Sequence, residues 1–270
     1  MRLRGLDFDV RVEGDGEAVV LLHGFPQHGG CWDGVRPALT AAGYRVVVPD
    51  QRGYSPGARP PGRRSYVLGE AAADVLALLD ELGVERAHLV GHDWGGAVGW
   101  RLAVRAPDRL RSLTSVSTPH PRALARSMLT SGQALRSWYM GFVQLPVLPE
   151  RVLLAADGRL LRRALQRAGL PAGTDYVDRL LDAGALTAAL NWYRAIPYDR
   201  GPGGPVTTPT LYVWGTGDTA LGPAAATATG RYVTGPYTFL PLPGGSHWIP
   251  EREPERLLPP LLAHLRRYSS

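Results

Sequence analysis

The chain has 270 residues, of which 44% are hydrophobic, and its formal net charge of +6 corresponds to a pI near 9.8. That length and apolar content suffice to bury a large core, so we expect one catalytic domain with room for an insertion. Every basic side chain is arginine, and the arginines are spread through the chain in pairs at most, which favours a solvated basic surface over a nucleic-acid partner. The absence of lysine excludes Schiff-base chemistry and lysine-dependent phosphate loops.

Cysteine and histidine usage argues against disulfides and metal sites. Cys31 is the only cysteine and cannot form an internal disulfide, and the seven histidines do not gather with it at zinc-ligand spacing. We therefore predict no metal and no cofactor. No apolar run approaches the roughly 18 residues of a membrane span, and charges interrupt the apolar stretch at the N-terminus. We expect no membrane partner and a cytoplasmic location.

Short apolar runs alternate with helical periodicity in the first and last parts of the chain. Such runs predict buried parallel strands, because strands covered by helices on both faces are apolar throughout. Between them, the helix predicted over 66–82 carries its leucines and Val75 on one face. This alternation indicates an α/β fold with a mostly parallel sheet. The predicted strands are 17–23, 45–50, 87–92, 110–116, 210–214 and 238–242, and a last helix is predicted over 253–268.

The stretch 118–204 breaks this alternation. It is rich in leucine, alanine and arginine and lacks β-branched runs, so it is predicted to be a helical insertion. Prolines at 119 and 121 open it, and the Gly- and Pro-rich segment 201–205 closes it. The predicted organisation is a core made of 1–117 and 205–270, with the insertion at 118–204.

The candidate nucleophile lies directly after the strand that ends near Val90. There the sequence reads Gly91-His-Asp93-Trp-Gly95-Gly96 and continues as an apolar helix. A strand, a sharp turn and a helix form a nucleophile elbow, in which the central side chain projects at the top of the sheet and flanking glycines let strand and helix approach. Asp93 is central, and a carboxylate is favoured at a helix N-terminus. The alternative is a plain N-cap aspartate.

A second pattern, Gly53-Tyr-Ser55-Pro-Gly57, matches the serine form of the elbow. The residue after an elbow nucleophile has to donate its backbone N–H to the oxyanion, and Pro56 has no N–H. The proline and glycines that follow also prevent the required helix. We therefore predict that Ser55 is a turn residue.

The turn His23-Gly-Phe25-Pro26 follows the first predicted strand. The backbone N–H groups of Phe25 and Trp94 are the candidate oxyanion hole, which has to stabilise charge on a tetrahedral intermediate. An ordinary strand-end turn would have the same sequence.

The candidate proton-transfer pair comes from two later loops. His247 lies in the glycine-loosened loop after the last predicted strand and is the candidate base, and Asp218 follows an earlier strand end as its carboxylate partner. Taken singly, they could be a surface histidine and a helix N-cap. These residues occur along the chain in the order Asp93, Asp218, His247, and each follows a predicted strand end. This order favours one shared site.

These segments together resemble the α/β-hydrolase superfamily along nearly the whole chain, and within it the branch of epoxide hydrolases and haloalkane dehalogenases. The resemblance implies an α/β-hydrolase fold, with a mostly parallel central sheet flanked by helices and a helical cap inserted after the sixth strand. It also implies an alkyl-enzyme ester on Asp93 that a histidine-activated water opens. The residues that carry it are His23-Gly-Phe-Pro26, Asp50-Gln-Arg-Gly-Tyr54, Gly91-His-Asp-Trp-Gly-Gly96, Gly215-Thr-Gly-Asp218 and Ser246-His-Trp248.

Epoxide hydrolases of this branch carry two cap tyrosines that hold the epoxide oxygen and protonate it. The segments around Tyr139 and Tyr193 resemble the two tyrosine segments, so the resemblance implies that both are proton donors. Without it, tyrosines in aromatic helices would be interpreted as core packing. The aromatic side chains expected to line the pocket under the cap are Phe25, Trp94, Trp138, Phe142, Trp192 and Trp248.

The resemblance favours an epoxide hydrolase, whose partners would be a small apolar epoxide and water, acting as a monomer or homodimer. One alternative is a haloalkane dehalogenase with the same triad, in which the Trp94 indole and either Trp138 or Trp192 would bind the departing halide. Many dehalogenases carry asparagine where this chain has Phe25. The other alternative is a non-catalytic ligand-binding member of the fold.

Overall fold

The computed structural model describes residues 1–201 and 204–269. Within them, one central sheet contains β1 (Val10–Glu13), β2 (Ala18–Leu22), β3 (Arg45–Pro49), β4 (Ala87–His92), β5 (Leu110–Val116), β6 (Thr210–Gly215) and β7 (Tyr237–Leu242). Their order across the sheet is β1-β3-β2-β4-β5-β6-β7. β1 is antiparallel to β3, and the other neighbouring pairs are parallel. The mostly parallel sheet predicted from the sequence is confirmed.

Helices cover both faces of this sheet. They are α1 (Arg36–Ala41), α2 (Leu68–Glu81), α3 (Trp94–Arg105), α4 (Pro121–Thr130), α5 (Gln133–Arg136), α6 (Trp138–Phe142), α7 (Leu148–Arg167), α8 (Tyr176–Leu180), α9 (Ala185–Ala195), α10 (Pro223–Ala228), α11 (Ile249–Arg252) and α12 (Pro254–Arg267). In β2, Val19 and Leu21 pack in one cluster with α1 and α12, whereas Val20 and Leu22 pack in a second cluster with α2 and α3. This alternation explains the unbroken apolar run, because both faces of the strand are covered.

The strand predictions for the central sheet hold to within one residue at each end, with one strand of that sheet omitted. β1 was not predicted from the sequence. Its residues alternate between apolar and charged, and they are exposed or partly exposed because β1 is the antiparallel edge strand. Alternation of this kind over four residues is a weak signal.

The predicted position of the insertion, after a sixth strand, differs from the structure. β5 is the strand that precedes it in the central sheet. The two short strands Arg2–Leu3 and Leu6–Asp7 pair only with each other in a separate hairpin, so they add nothing to the central sheet.

Residues 118–201, called here the helical insertion, contain α4 to α9. Pro202 and Gly203 of the predicted closing turn, and Ser270 of the predicted core, lie outside the described residues. α7 is broken where Ala156, Asp157 and Gly158 adopt positive φ. Every residue of α9 except Thr187 is buried, and its Trp192 indole donates a 2.9 Å hydrogen bond to the backbone oxygen of Arg52. α9 therefore attaches the insertion to the core.

Candidate active site

Asp93 lies at the sharp turn between β4 and α3, with φ 50° and ψ −118°. A side chain at Gly91 would overlap the backbone oxygen of Gly95, and one at Gly95 would overlap the backbone oxygen of Leu22. The glycines therefore permit the close approach of strand and helix that a nucleophile elbow requires. Although Asp93 precedes the first residue of α3, its side chain makes no capping hydrogen bond to that helix. The structure thus gives no support to the plain N-cap interpretation.

The Asp93 carboxylate has one oxygen held by a backbone amide. Phe25 N–H donates to Asp93 Oδ1 over 2.9 Å. A Cβ at the neighbouring Gly24 would overlap the Asp93 side chain, so the turn after β2 can approach only because that residue is glycine. Trp94 is the first residue of α3, where helix amides lack intrahelical partners. Of the two predicted oxyanion-hole amides, that of Phe25 therefore contacts the carboxylate, and that of Trp94 begins the helix directly after Asp93.

His247 and Asp218 form a buried pair next to Asp93. His247 Nδ1 is 2.8 Å from Asp218 Oδ2, and His247 Nε2 is 3.7 Å from Asp93 Oδ2. The other oxygen of Asp218, Oδ1, accepts the N–H groups of Ala220 at 2.7 Å and Leu221 at 2.9 Å. Asp218 thus accepts local backbone amides, as the N-cap interpretation expected, and also orients His247.

Within this trio, the carboxylates favour the protonated form of His247, and His247 in turn favours the ionised form of Asp93. Burial opposes the charged form of His247, but the negative charges of Asp218 and Asp93 outweigh it and raise the pKa of His247. Burial also opposes ionisation of Asp93, but His247 and the Phe25 N–H outweigh it and lower the pKa of Asp93. The resting site is therefore an ionised carboxylate beside an imidazolium, which is held between two carboxylates.

Tyr139 and Tyr193 come together above this trio. Their ring centroids are 5.9 Å apart, and the Tyr193 ring lies 5.0 Å from Trp94 and 5.6 Å from Phe25 in edge-to-face contacts. Burial, together with the charge of Asp93, raises the pKa of both phenols above the usual range. Both hydroxyls therefore keep their protons at neutral pH and can donate them.

The predicted aromatic lining is only partly brought together. Trp192 is buried, with its ring 5.6 Å from that of Trp94, and Trp248 is buried with its ring 5.1 Å from that of His247. Phe142 is partly buried, and its ring contact is with Trp138 at 6.4 Å. The prediction for Trp138 is wrong, because that side chain is 68% exposed. It precedes Tyr139 on the same short helix, and successive helical residues point about 100° apart.

Sequence reasoning missed several polar residues behind the trio. His92 Nε2 lies 2.8 Å from the backbone oxygen of His247, and Ser117 Oγ donates to the same oxygen over 2.7 Å. His92 also contacts Gln27, which contacts Glu251. The one available sequence signal was the position of His92 immediately before Asp93. The Ser55 prediction agrees with the structure, since its hydroxyl donates to the backbone oxygen of Asp50 over 2.6 Å.

Residues 1–201 and 204–269 hold no group of three or more His, Cys, Asp or Glu side chains that could bind a metal ion. Within the same ranges, no helix combines the length and apolar character needed to cross a membrane.

Comparison with known proteins identifies the family. A sequence model described as the alpha/beta hydrolase fold matches residues 17–254. Epoxide hydrolase A of Mycobacterium tuberculosis is 31% identical over 293 residues, an alignment that covers 92% of this chain and 89% of that protein. The AB hydrolase superfamily protein YfhM of Bacillus subtilis is 36% identical over 261 residues, covering 93% of this chain and 91% of that protein.

Solved structures agree with these relatives. The crystal structure of Epoxide Hydrolase A from Mycobacterium thermoresistibile matches with a TM-score of 0.81 at 29% identity, covering 98% of this chain and 97% of that one. An epoxide hydrolase of Vigna radiata matches with a TM-score of 0.84 at 25% identity, covering 99% of this chain and 96% of that one. The resemblance found in the sequence motifs is confirmed, and the chain belongs to the α/β-hydrolase fold family, in its epoxide hydrolase branch.

Proposed function

We propose that this protein is an epoxide hydrolase that converts an apolar epoxide to a vicinal diol through a covalent ester on Asp93. The observation that carries the proposal is the asymmetric setting of the Asp93 carboxylate. Oδ1 accepts the Phe25 N–H at 2.9 Å, whereas Oδ2 faces His247 Nε2 at 3.7 Å, beyond hydrogen-bond distance. One oxygen is therefore held as a future carbonyl oxygen and the other is free to attack.

In the first step, Asp93 Oδ2 attacks an epoxide carbon, and the bond from that carbon to the ring oxygen breaks. The ring oxygen takes a proton from Tyr139 or Tyr193, since an alkoxide is a stronger base than a phenolate. The products of this step are an alkyl ester on Asp93 and a free hydroxyl on the neighbouring carbon. The apolar surroundings, with Phe25, Trp94 and Trp192 in contact, favour an apolar substrate.

Before the second step, the protonated His247 gives its proton to the tyrosinate left by the first step and so becomes a neutral base. His247 then takes a proton from water, and the resulting hydroxide attacks Cγ of the Asp93 ester. Negative charge develops on Oδ1, where the Phe25 and Trp94 amides stabilise it. Collapse of the tetrahedral intermediate expels the alkoxide, which takes the proton of the newly formed Asp93 carboxyl and leaves as the diol. The Asp93 carboxylate and the protonated His247 of the resting site are thereby restored. Ester formation removes the charge of Asp93, so the pKa of His247 falls at the stage at which it has to act as a base.

The helical insertion is proposed to be a cap over this site, with the core made of 1–117 and 205–270 and the cap of 118–204. The support is that both phenols come from the insertion, whereas the three charged residues come from the core. The Tyr193 ring contacts Phe25 and Trp94, which belong to the core.

The geometry disfavours a haloalkane dehalogenase. A second indole N–H for the halide was expected from Trp138 or Trp192. Trp138 is exposed, and the Trp192 indole already donates to the backbone oxygen of Arg52. The buried contact between His247 and Asp218 likewise disfavours a non-catalytic binding protein, because it orients a base that ligand binding alone does not need.

The covalent step is tested by trapping. His247→Gln keeps the first step and slows the second, so after exposure to a panel of small apolar epoxides, mass spectrometry should find Asp93 heavier by the mass of the epoxide. His247→Gln combined with Asp93→Asn is the matched control and should carry no adduct. In ¹⁸O-water, the diol from the first turnover of the wild-type enzyme should be unlabelled, because its new oxygen comes from Asp93. Labelled diol in that turnover would exclude the ester.

A further inference from the structure

A chain of polar side chains runs from Glu251 on α11, a partly buried residue, through buried Gln27 and His92 to the backbone of His247. The Gln27 amide nitrogen contacts Glu251 Oε1, and Gln27 Oε1 lies 2.8 Å from His92 Nδ1. His92 Nε2 lies 2.8 Å from the backbone oxygen of His247. The chain therefore ends on the residue that the proposed mechanism uses as its base.

In this arrangement His92 faces an acceptor on each side and needs a proton on both ring nitrogens. Burial, together with the nearby charge of His247, lowers the pKa of His92 to about 4. A neutral imidazole carries a single N–H and can satisfy only one of the two acceptors. The other contact would bring two lone pairs together 2.8 Å apart.

Rotating the Gln27 side-chain amide so that its oxygen and nitrogen exchange places removes this conflict. The exchange needs little space, because the two atoms are nearly the same size. Gln27 Nε2 then donates to His92 Nδ1, and His92 donates from Nε2 to the His247 oxygen. The contact given up is the one from Gly24 N–H to Gln27 Oε1, which is long at 3.4 Å. Gln27 Oε1 then faces Glu251, which has to supply a proton to make a hydrogen bond.

The surroundings of Glu251 favour the neutral carboxyl that this requires. Burial raises the pKa of Glu251 to about 7, against the hydrogen bonds from Gln27 and from the Tyr176 hydroxyl, 3.2 Å away. Its Oε2 is buried and has no hydrogen-bond partner among the described residues. The other ionisable groups near it are the buried Cys31 thiol and His247. An unpartnered buried oxygen costs less on a neutral carboxyl than on a carboxylate.

We propose that Glu251 is a positioning residue for the base. Its neutral carboxyl donates to Gln27, Gln27 donates to His92, and His92 donates to the backbone oxygen of His247. When Glu251 loses its proton, the Gln27 amide turns to donate to the carboxylate, the proton of His92 moves to Nδ1, and the Nε2 lone pair then opposes the His247 oxygen. The inference rests on the proposed function, because the role of His247 as a base belongs to it.

The kinetic test measures kcat for styrene oxide from about pH 5.5 to about pH 9 in three variants and the wild type. Wild-type kcat should decrease as the pH rises, with the midpoint of the decrease near pH 7, where Glu251 ionises. Glu251→Gln keeps a donor at every pH and should lack that decrease, so its ratio of kcat at pH 9 to kcat at pH 6 should exceed that of the wild type by about threefold or more. Tyr176→Phe removes a donor to the carboxylate and should move the midpoint to higher pH.

Glu255→Gln is the matched control, since Glu255 is exposed on the neighbouring helix and the substitution removes the same charge. It should keep the wild-type profile. A wild-type profile in Glu251→Gln, or an equal change in Glu255→Gln, would overturn the inference while leaving diol formation, and thus the proposed function, intact.

A second measurement needs no turnover. Nitrogen-15 NMR of the His92 ring in the resting protein should report the proton on Nε2 below pH 7 and on Nδ1 above it, and on Nε2 throughout in Glu251→Gln. A tautomer that does not change with pH in the wild type would overturn the inference. If no epoxide yields a diol, the proposed function fails, and this measurement still decides whether Glu251 controls His92.

Discussion

The charged half of the candidate site and its phenol half are held in different ways. Asp93 follows buried β4, Asp218 follows buried β6, and His247 is held through its backbone oxygen by two side chains. Of the phenols, Tyr193 lies on the almost completely buried α9, whereas Tyr139 lies on α6, which has no buried residue. The sheet thus preorganises the charged groups, while the phenols depend on how well each helix of the insertion is anchored. Substitutions should have large effects in the first half and graded effects in the second.

The largest expected effect is at Asp93. Asp93→Asn removes the nucleophile but keeps a side chain that tolerates positive φ, so the fold should be retained. We expect kcat for diol formation to fall by about 10⁴-fold or more, with an unchanged melting temperature. Mass spectrometry should accompany the assay to exclude deamidation back to aspartate. Activity within tenfold of the wild type, with asparagine intact, would rule out Asp93 as the nucleophile.

The next comparison is between the two phenols. Tyr193→Phe should slow ester formation by about 100-fold and Tyr139→Phe by about 10-fold, because a fixed donor contributes more than one on a less anchored helix. The rate is measured by quenching single turnovers and quantifying the Asp93 adduct by mass spectrometry. Tyr198→Phe, on a side chain 40% exposed, is the control and should match the wild type. Equal effects at Tyr139 and Tyr193 would contradict the difference in anchoring.

The anchoring itself depends on an ion pair between buried Arg194 and partly exposed Glu150. Arg194, on α9, donates to the backbone oxygens of Val143 and Leu145 at 2.8 Å and pairs with Glu150 at 2.6 Å. It therefore joins the helix of Tyr193 to the segment that follows Tyr139. Glu150→Gln leaves the buried guanidinium without its counter-charge, and because Glu150 is partly exposed and screened by solvent, we expect the free energy of unfolding to fall by only about 1 to 2 kcal/mol at neutral pH.

This loss should depend on pH with a defined sign. Burial opposes ionisation of Glu150, but its contacts with Arg194 outweigh it, and the pKa of Glu150 is lowered below its usual 4.5. The stabilisation is present above 4.5 and is lost as the pH falls through the lowered value, so Glu150→Gln and the wild type should converge in acid. Urea unfolding at several pH values measures this. A constant difference down to the lowest pH would show that the charge of Glu150 is not its source.

The sequence predicted best what is decided locally. Continuous apolar runs marked the parallel strands, and the glycines around Asp93 marked the elbow, because the steric demand at Gly91 comes from Gly95, close to it in sequence. The exposed position of Trp138 could not be read in advance, since a helix of five residues carries too little periodicity to show which side faces the core.

Contacts between distant parts of the chain could not be predicted from the sequence either. Glu251 and Gln27 are 224 residues apart, and no motif around either residue predicts their contact. The two side chains come into contact only because α11 packs against the turn after β2. The same holds for Arg194 and Glu150. Nothing in the sequence pairs these two charged residues, but in the structure they form the ion pair that joins α9 to the start of α7.

The smallest expected effect on activity is at Ser55, which is buried in the core but takes no part in the proposed chemistry. Its buried hydroxyl donates to the backbone oxygen of Asp50 at 2.6 Å and accepts the Asp9 N–H at 3.0 Å. Ser55→Ala should therefore lower the free energy of unfolding by about 1 to 2 kcal/mol, because the Asp9 N–H loses its acceptor. The value of kcat should stay within about twofold of the wild type, since Pro56 cannot supply the amide that a serine nucleophile needs. Diol formation and urea unfolding on the same preparation measure both quantities. A folded Ser55→Ala protein as inactive as Asp93→Asn would move the nucleophile to the serine motif.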